Sequence, residues 1–386
     1  MRRSLRSWKD SPGLLDGNVS KTYCWVTMPC REKEVNPVSE TFPTHPEASR
    51  PTMIDVARRA GVGLGTVSRV VNGGHGVREE TAQRVRTAIT ELGFQRNEVA
   101  RALRPGKKSS SLALVLGDLT NPFYATIAKA SLEVAGQSGF AVVLGSVDED
   151  PEGEKRAIQE LVSRQVAGLM IVPDQGDHSF LAGAGVPVVF VDRPAHGIDA
   201  DIVMVDNEGG GRLATEHLLD QGHQRIAILL APSYYTTGRR LRGYRRAYRS
   251  AGIEVDESLV VQLPEGNAEA AEKTTLELML RPDPPTAVFA STNFLTEGVL
   301  RALQEVGREP AVVGFDDFRL ADMLPTPVTV VASDIAELGR NAAQLLLDRA
   351  SGTDTRPPQR IVLPCALIQR GSGERPPDSA GKRKAR

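Results

Sequence analysis

No stretch of this chain approaches the run of about 18 apolar residues that a membrane-spanning helix needs, so a span is not expected. Cysteine is scarce: Cys24, Cys30 and Cys365 are the 3 in 386 residues. They show no CxxC or Cys/His ligand spacing, which argues against a metal site or a disulfide framework and fits a reducing cytoplasm. The 6 histidines are scattered. The first 50 residues lack the apolar core of a signal peptide and carry no helical or strand period. They read either as a disordered extension or as the product of a start codon chosen too far upstream, with the folded part beginning near Arg50. Hydrophobic content of 40% and charged content of 25% are ordinary for a soluble globular protein, and the length allows two or three domains.

Net charge is also nearly absent, at −1 for the whole chain, but it is unevenly placed. Between Pro51 and Lys108 stand 11 Arg and Lys against 5 Asp and Glu. The same stretch has the spacing of three short helices. One is expected over Met53–Ala60, with Val56, Ala57 and Ala60 on one face. Gly61 follows where two steeply crossing helices need a residue tolerant of positive φ. A second helix, Leu64 to Asn72, turns Val67, Val70 and Val71 inward and leaves Thr66, Ser68, Arg69 and Asn72 outward. A third is marked by Ala82, Val85, Ile89 and Leu92 and stops at Gly93. Apolar spacing alone would fit any small helical bundle. The local basic surplus favours a head that reads DNA, since hydroxyls, an amide and a guanidinium suit phosphates and base edges.

The head resembles that of the lactose-repressor (LacI/GalR) family of bacterial transcription regulators. The resemblance rests on Asp55-Val56-Ala57, Ala60-Gly61-Val62, Thr66-Val67-Ser68-Arg69-Val70 and Asn72, then on the hinge-like Asn97-Glu98-Val99-Ala100-Arg101-Ala102-Leu103-Arg104. It implies a helix-turn-helix domain over 51–96 and a hinge and linker over 97–110. It also implies DNA contacts from Thr52, Leu64, Gly65, Thr66, Ser68, Arg69, Asn72, Asn97, Ala100 and Leu103, the last as an apolar wedge in the minor groove. Three departures stand out. Gly63 replaces a usual serine, Gly65 stands where relatives often carry a base-reading side chain, and Arg96 replaces the usual proline before the hinge.

From 111 to 370 short apolar runs alternate with amphipathic stretches. Leu112–Leu116, Ala141–Leu144, Leu169–Val172, Val188–Val191, Ile202–Val205, Ile226–Leu230, Val288–Ala290 and Val312–Gly314 read as buried strands; Phe123–Gln137 and Glu154–Gln165 read as helices. This βαβα order predicts an α/β fold, two parallel sheets in series, flanked by helices, with a cleft beyond the carboxyl ends of their strands. The resemblance makes it a two-lobed, periplasmic-binding-protein-like core for effector binding and dimerisation over 111–370. Polar groups gather at the expected strand ends. The resemblance implies ring contacts from Phe123 and Tyr124, and hydroxyl or carboxylate clamps from Arg193 and Arg240. Asp316 would accept hydroxyls, facing Arg240 across the mouth. It places Thr292-Asn293 where an Asn-Asp pair is usual, Ser333 where a glutamine often closes the cleft, and Tyr234 where some relatives have arginine. Asp206 and Asn207 read instead as structural cap residues. Residues 371–386, rich in Pro, Gly, Lys and Arg, read as a solvated basic tail.

The function implied is an effector-responsive repressor of carbohydrate-related genes, cytoplasmic, binding a palindromic operator as a homodimer, with a sugar or sugar derivative as effector and no cofactor, metal or membrane partner. An enzyme on a doubly wound sheet is one rival. Gly209-Gly210-Gly211 follows a strand and opens a helix, but there is no GxGxxG, GxxxxGK[ST] or GxSxG, and no catalytic residue is expected. The other rival is a periplasmic-type solute-binding protein with the same core.

Overall fold

Thr52 begins the first helix by a reciprocal exchange. Its hydroxyl accepts the Asp55 amide at 3.3 Å and its own amide donates to Asp55 Oδ2 at 2.9 Å, which satisfies two otherwise orphaned donors. The helix, α1 (Met53–Ala60), ends at Gly61, whose φ of 64° only glycine adopts without strain. After it come α2 (Leu64–Val71) and α3 (Glu79–Leu92). Val56, Val67 and Val85 are wholly buried, and Met53, Val70, Val71 and Ile89 pack on them, so the inward faces are those the spacing predicts. The computed structural model describes residues 51–71, 76–94, 109–147, 150–232 and 235–377. The chain divides into two units between Arg96 and Asn97. The extension over 1–50 and most of the hinge segment, 95–108, lie outside the described residues.

The second unit begins with β1 (Ser111–Leu116), α4 (Pro122–Gln137), β2 (Ala141–Ser146), α5 (Pro151–Ser163), β3 (Leu169–Ile171), β4 (Val188–Val191) and β5 (Asp201–Val205), which form a first lobe. Then α6 (Asn207–Asp220), β6 (Ile226–Leu230), α7 (Tyr235–Ala251), β7 (Val260–Gln262), α8 (Ala268–Met279), β8 (Ala287–Ala290), α9 (Asn293–Val306), β9 (Ala311–Phe315) and β10 (Thr329–Ala332) form a second. α10 (Ile335–Ser351) and β11 (Arg360–Leu363) return to the first lobe, and β12 (Ala366–Ile368) to the second. The sheet orders are β11-β5-β4-β3-β1-β2 and β12-β10-β9-β8-β6-β7, parallel except where β12 meets β10.

The lobes are therefore not two sheets in series, as expected, but are joined by three crossings. Local periodicity marks a strand without saying which sheet it joins. Alternation still explains the layers. Leu112, Leu114 and Leu116 face α4 and α10, while Ala113 and Val115 face α5. In lobe 2, Ala227 and Leu229 face α8 and α9, while Ile228 and Leu230 face α6 and α7. The crossings are tied together. The Asp206 amide donates to Leu363 O at 2.8 Å and Ser333 Oγ to Pro364 O at 2.8 Å. Burial pushes the Cys365 thiol up to about 12, so at neutral pH it keeps its proton and donates to Asp206 O at 3.4 Å.

The expected tail boundary at Gly371 needs correction. Gly371–Pro377 lie on lobe 2, where Ser372 Oγ donates to Val312 O at 2.6 Å and accepts the Thr329 amide at 2.9 Å. His223 meets Arg375 O at 2.7 Å. Serine and glycine here make a buried polar strap, although by composition they resemble solvated chain. No helix among the described residues is long and apolar enough to cross a membrane.

Candidate functional site

In the head, Val67 anchors α2 to the small core and leaves its other faces open. Leu64 is 49% exposed, Gly65 and Arg69 are exposed, and Thr66 and Ser68 are half-buried. Arg69 makes no ion pair among the described residues, whereas Arg59 is tied to Glu91 and Arg86 to Glu79. An exposed leucine beside a threonine and an available guanidinium can meet a thymine methyl, a phosphate and a guanine edge. The Thr52 hydroxyl is engaged with Asp55, to which it also donates at 2.6 Å, so its first role is the cap. Asn72, Asn97, Ala100 and Leu103 lie outside the described residues.

In the core, both lobes bring polar groups to the carboxyl ends of their strands. Asp192 follows β4 and Asp316 follows β9, the third strand in each sheet order. Both have left-handed backbones, with φ of 72° and 67°. Their amides donate to Val203 O and Val331 O of the adjoining strands, each at 2.9 Å. Non-glycine residues held in this region carry strain that the surrounding sheet must enforce, a common mark of a functional position. Burial pushes both carboxyls above the usual range, against the pull of Arg193 and Arg240 on Asp192 and of Arg240 on Asp316.

Arg193 Nη2 donates to the Tyr124 hydroxyl at 3.0 Å, and its Nε stands 3.7 Å from Asp192 Oδ2. The Phe123 and Tyr124 rings meet edge to face at 5.3 Å. Gly117 lies under the Tyr124 ring, where a Cβ would sit 3.0 Å from it. Arg240 is only 3% exposed. Its Nε donates to Asn207 Oδ1 at 2.8 Å and its Nη1 to Ser291 O, and the guanidinium lies flat on Phe315 at 3.6 Å. Nη1 also stands 3.5 Å from Asp316 Oδ2. Arg240 and Asp316 thus do not face each other across the mouth, as expected. Both belong to lobe 2, because α7 packs against the sheet that carries β9.

Across the lobes, Asn293 Nδ2 donates to Asn121 Oδ1 at 3.0 Å. Elsewhere Arg360 of β11 reaches the Tyr235 hydroxyl at 3.3 Å. Two expected effector groups have other work here. Thr292 caps α9 by accepting the Leu295 amide, and Ser333 is bonded within the crossings. Tyr234 is outside the described residues. Asp206 caps α6, consistent with its structural reading, whereas Asn207 holds the Arg240 fork and so shapes the cleft. The Gly209–Gly211 run is explained by packing: a Cβ on Gly211 would strike the Arg240 carbonyl, so glycine lets α7 approach α6. Asp192 had a signal in the chain itself. An aspartate closes the apolar run Val188–Val191, as Asp316 closes Val312–Phe315.

Comparison with known proteins bears on both units. The family described as bacterial regulatory proteins, lacI family, matches residues 52–97, and a periplasmic binding protein-like domain matches 215–373. The HTH-type transcriptional regulator CelR of Thermobifida fusca is 37% identical over 339 residues, 84% of this chain and 98% of that protein. The HTH-type transcriptional regulator DegA of Bacillus subtilis is 33% identical over 337 residues, 83% of this chain and 97% of that protein. Among solved structures, the lac repressor dimer bound to operator and the anti-inducer ONPF superposes with a TM-score of 0.76 at 28% identity, covering 84% of this chain and 99% of that one.

Proposed function

Because this chain belongs to the lacI family of bacterial regulatory proteins and is a DNA-binding transcriptional regulator, we propose that it is a homodimeric repressor whose core closes on a sugar. The observation that carries this reading is the surface of α2: Leu64, Thr66 and Arg69 are presented outward on a helix anchored by buried Val67, in a head rich in arginine. A two-fold dimer places two such helices in successive major grooves of a roughly palindromic site. The second copy meets the edge strand β2, where Val143 and Leu144 are exposed, together with Leu132 of α4; an uncovered apolar edge invites pairing. A ligand drawing the lobes together changes their packing across that face, and the change reaches the segment 97–110 that leads to the heads. Names of relatives support a sugar: solved family members include a CelR–cellobiose complex and a regulator with bound ribose. The protein acts in the cytoplasm and carries out no catalysis.

Arg69→Ala is expected to cost about 1–3 kcal/mol of operator binding while leaving effector affinity unchanged. Fluorescence anisotropy on operator and on scrambled DNA checks it. Equal losses on both would reduce Arg69 to a phosphate contact, and no loss on either would remove α2 from the reading surface.

A further inference from the structure

Resting on the reading of the cleft as the effector site, we infer that its ligand is an uncharged, polyhydroxylated molecule, and that phosphorylated and carboxylated sugars are rejected. The argument is one of charge and hydrogen-bond inventory. Two guanidiniums and two carboxylates stand at these strand ends, each cation beside its own anion: Arg193 at 3.7 Å from Asp192, and Arg240 at 3.5 Å from Asp316. All four side chains are at least 87% buried, since their exposures are 13% and 7% for the first pair and 4% and 13% for the second. Asp174, just after β3, adds a third carboxylate, and its Oδ2 is buried with no hydrogen-bond partner among the described residues.

An anion entering here would lose its water without gaining an uncompensated cation, and would approach carboxylates that burial already disfavours as charges. Arg240 has little left to offer a bidentate anion. Its Nε is held by Asn207, its Nη1 by Ser291 O and Asp316, and one flat face by Phe315. The carboxyl groups, by contrast, are acceptors only when ionised and gain one O–H donor when protonated, and in either state hydroxyls can pair with them. The Ser291 hydroxyl, fully buried and without a partner among the described residues, can accept or donate to such a group. Hydroxyls donate and accept, carry no charge, and leave a carbon face for Phe123.

The test is calorimetry on the full chain with matched sets: glucose, glucuronate and glucose 6-phosphate; ribose and ribose 5-phosphate; cellobiose and cellobionate. At least one neutral member is expected to bind about tenfold or more tighter than its charged counterparts. Asp192→Asn, which leaves Arg193 uncompensated, is expected to narrow that ratio in favour of the anion. A charged member binding as tightly as its neutral parent overturns the inference, and so does no binding by any member; both are read on the wild type, whether or not the variant folds. Operator anisotropy with the same compounds separates this from the regulatory reading. A neutral sugar that binds without altering operator affinity sinks the regulatory reading and leaves the specificity standing, whereas operator release by a charged member alone does the reverse.

Discussion

Lobe 1 and lobe 2 repeat one strand order and put an aspartate with a left-handed backbone at the same point of each, yet they partner it differently. Asp192 has the next residue, Arg193, beside it, so its ion pair is local. Asp316 has Arg240, which arrives on α7 and is itself fixed by Asn207 of α6 and by Phe315. A repeated scaffold therefore sets where the two carboxylates stand, while the helices set how rigidly their cations are held. The lobes also lock their returning segments differently. In lobe 1, Arg349 grips Asp201 with two bonds of 2.8 Å, at side-chain exposures of only 11% and 8%. In lobe 2 the equivalent lock is Arg370 on Asp317, with exposures of 18% and 38%.

That difference gives the largest expected effect. Asp201→Ala takes two charge-assisted bonds from a buried guanidinium, which keeps Asp354 at 3.4 Å as its counter-charge, and should lower unfolding free energy by about 3 kcal/mol. Asp317→Ala leaves Arg370 within reach of water and should cost about 1 kcal/mol or less. Urea unfolding of the two variants measures both. Equal losses would mean that burial does not distinguish the locks.

How far the chain could be read in advance follows the same division between local and long-range causes. The span Met53–Ala60, the stop at Gly93, and strands β4 and β6 were legible to the residue, because caps, glycines and apolar runs act within a few positions. β7 and β10–β12 and the three crossings were not, since runs of three or four residues carry no mark of the sheet they join. In the cleft, Arg240, Asp316 and the Phe123–Tyr124 pair could be named from resemblance. That Arg240 sits beside Asp316 on one lobe, held by Asn207, depends on α6 and α7 packing, which no local pattern states. Resemblance alone puts Ser333 and Thr292 at the ligand, since they stand where relatives carry cleft residues, and the change of side chain to a short hydroxyl leaves them bonded to Pro364 O and the Leu295 amide instead.

The helix contacts sharpen the comparison at a smaller scale. A Cβ on Gly211 would strike the Arg240 carbonyl, and one on Gly339 in lobe 1 would lie 2.8 Å from Ile127 O. Gly211→Ala and Gly339→Ala should each cost about 1–3 kcal/mol by overpacking. Only Gly211→Ala pushes on the helix carrying Arg240, so it alone should weaken sugar binding, by about tenfold. Calorimetry and denaturation on both variants distinguish the outcomes. A parallel loss of affinity in Gly339→Ala would show that lobe stability, not Arg240 placement, governs the site.

The smallest effect concerns the place where the lobes touch. Asn293 accepts the Phe294 amide with its Oδ1 at 2.8 Å and donates its Nδ2 to Asn121 Oδ1 at 3.0 Å. Asn293→Asp keeps the first bond and turns the second into two facing oxygens. Asn121 cannot relieve this by rotating its amide, because the same Oδ1 accepts the Phe123 amide and caps α4. Each lobe keeps its own core, so the unfolding midpoint should barely move. The closed arrangement should lose about 1 kcal/mol, the net worth of one hydrogen bond, and sugar affinity should fall about fivefold. Operator affinity without sugar should stay at the wild-type value. An unchanged dissociation constant would mean that the lobes close through Tyr235 and Arg360 alone, and a lowered midpoint would mean that Asn293 supports α9 itself and not the junction between lobes.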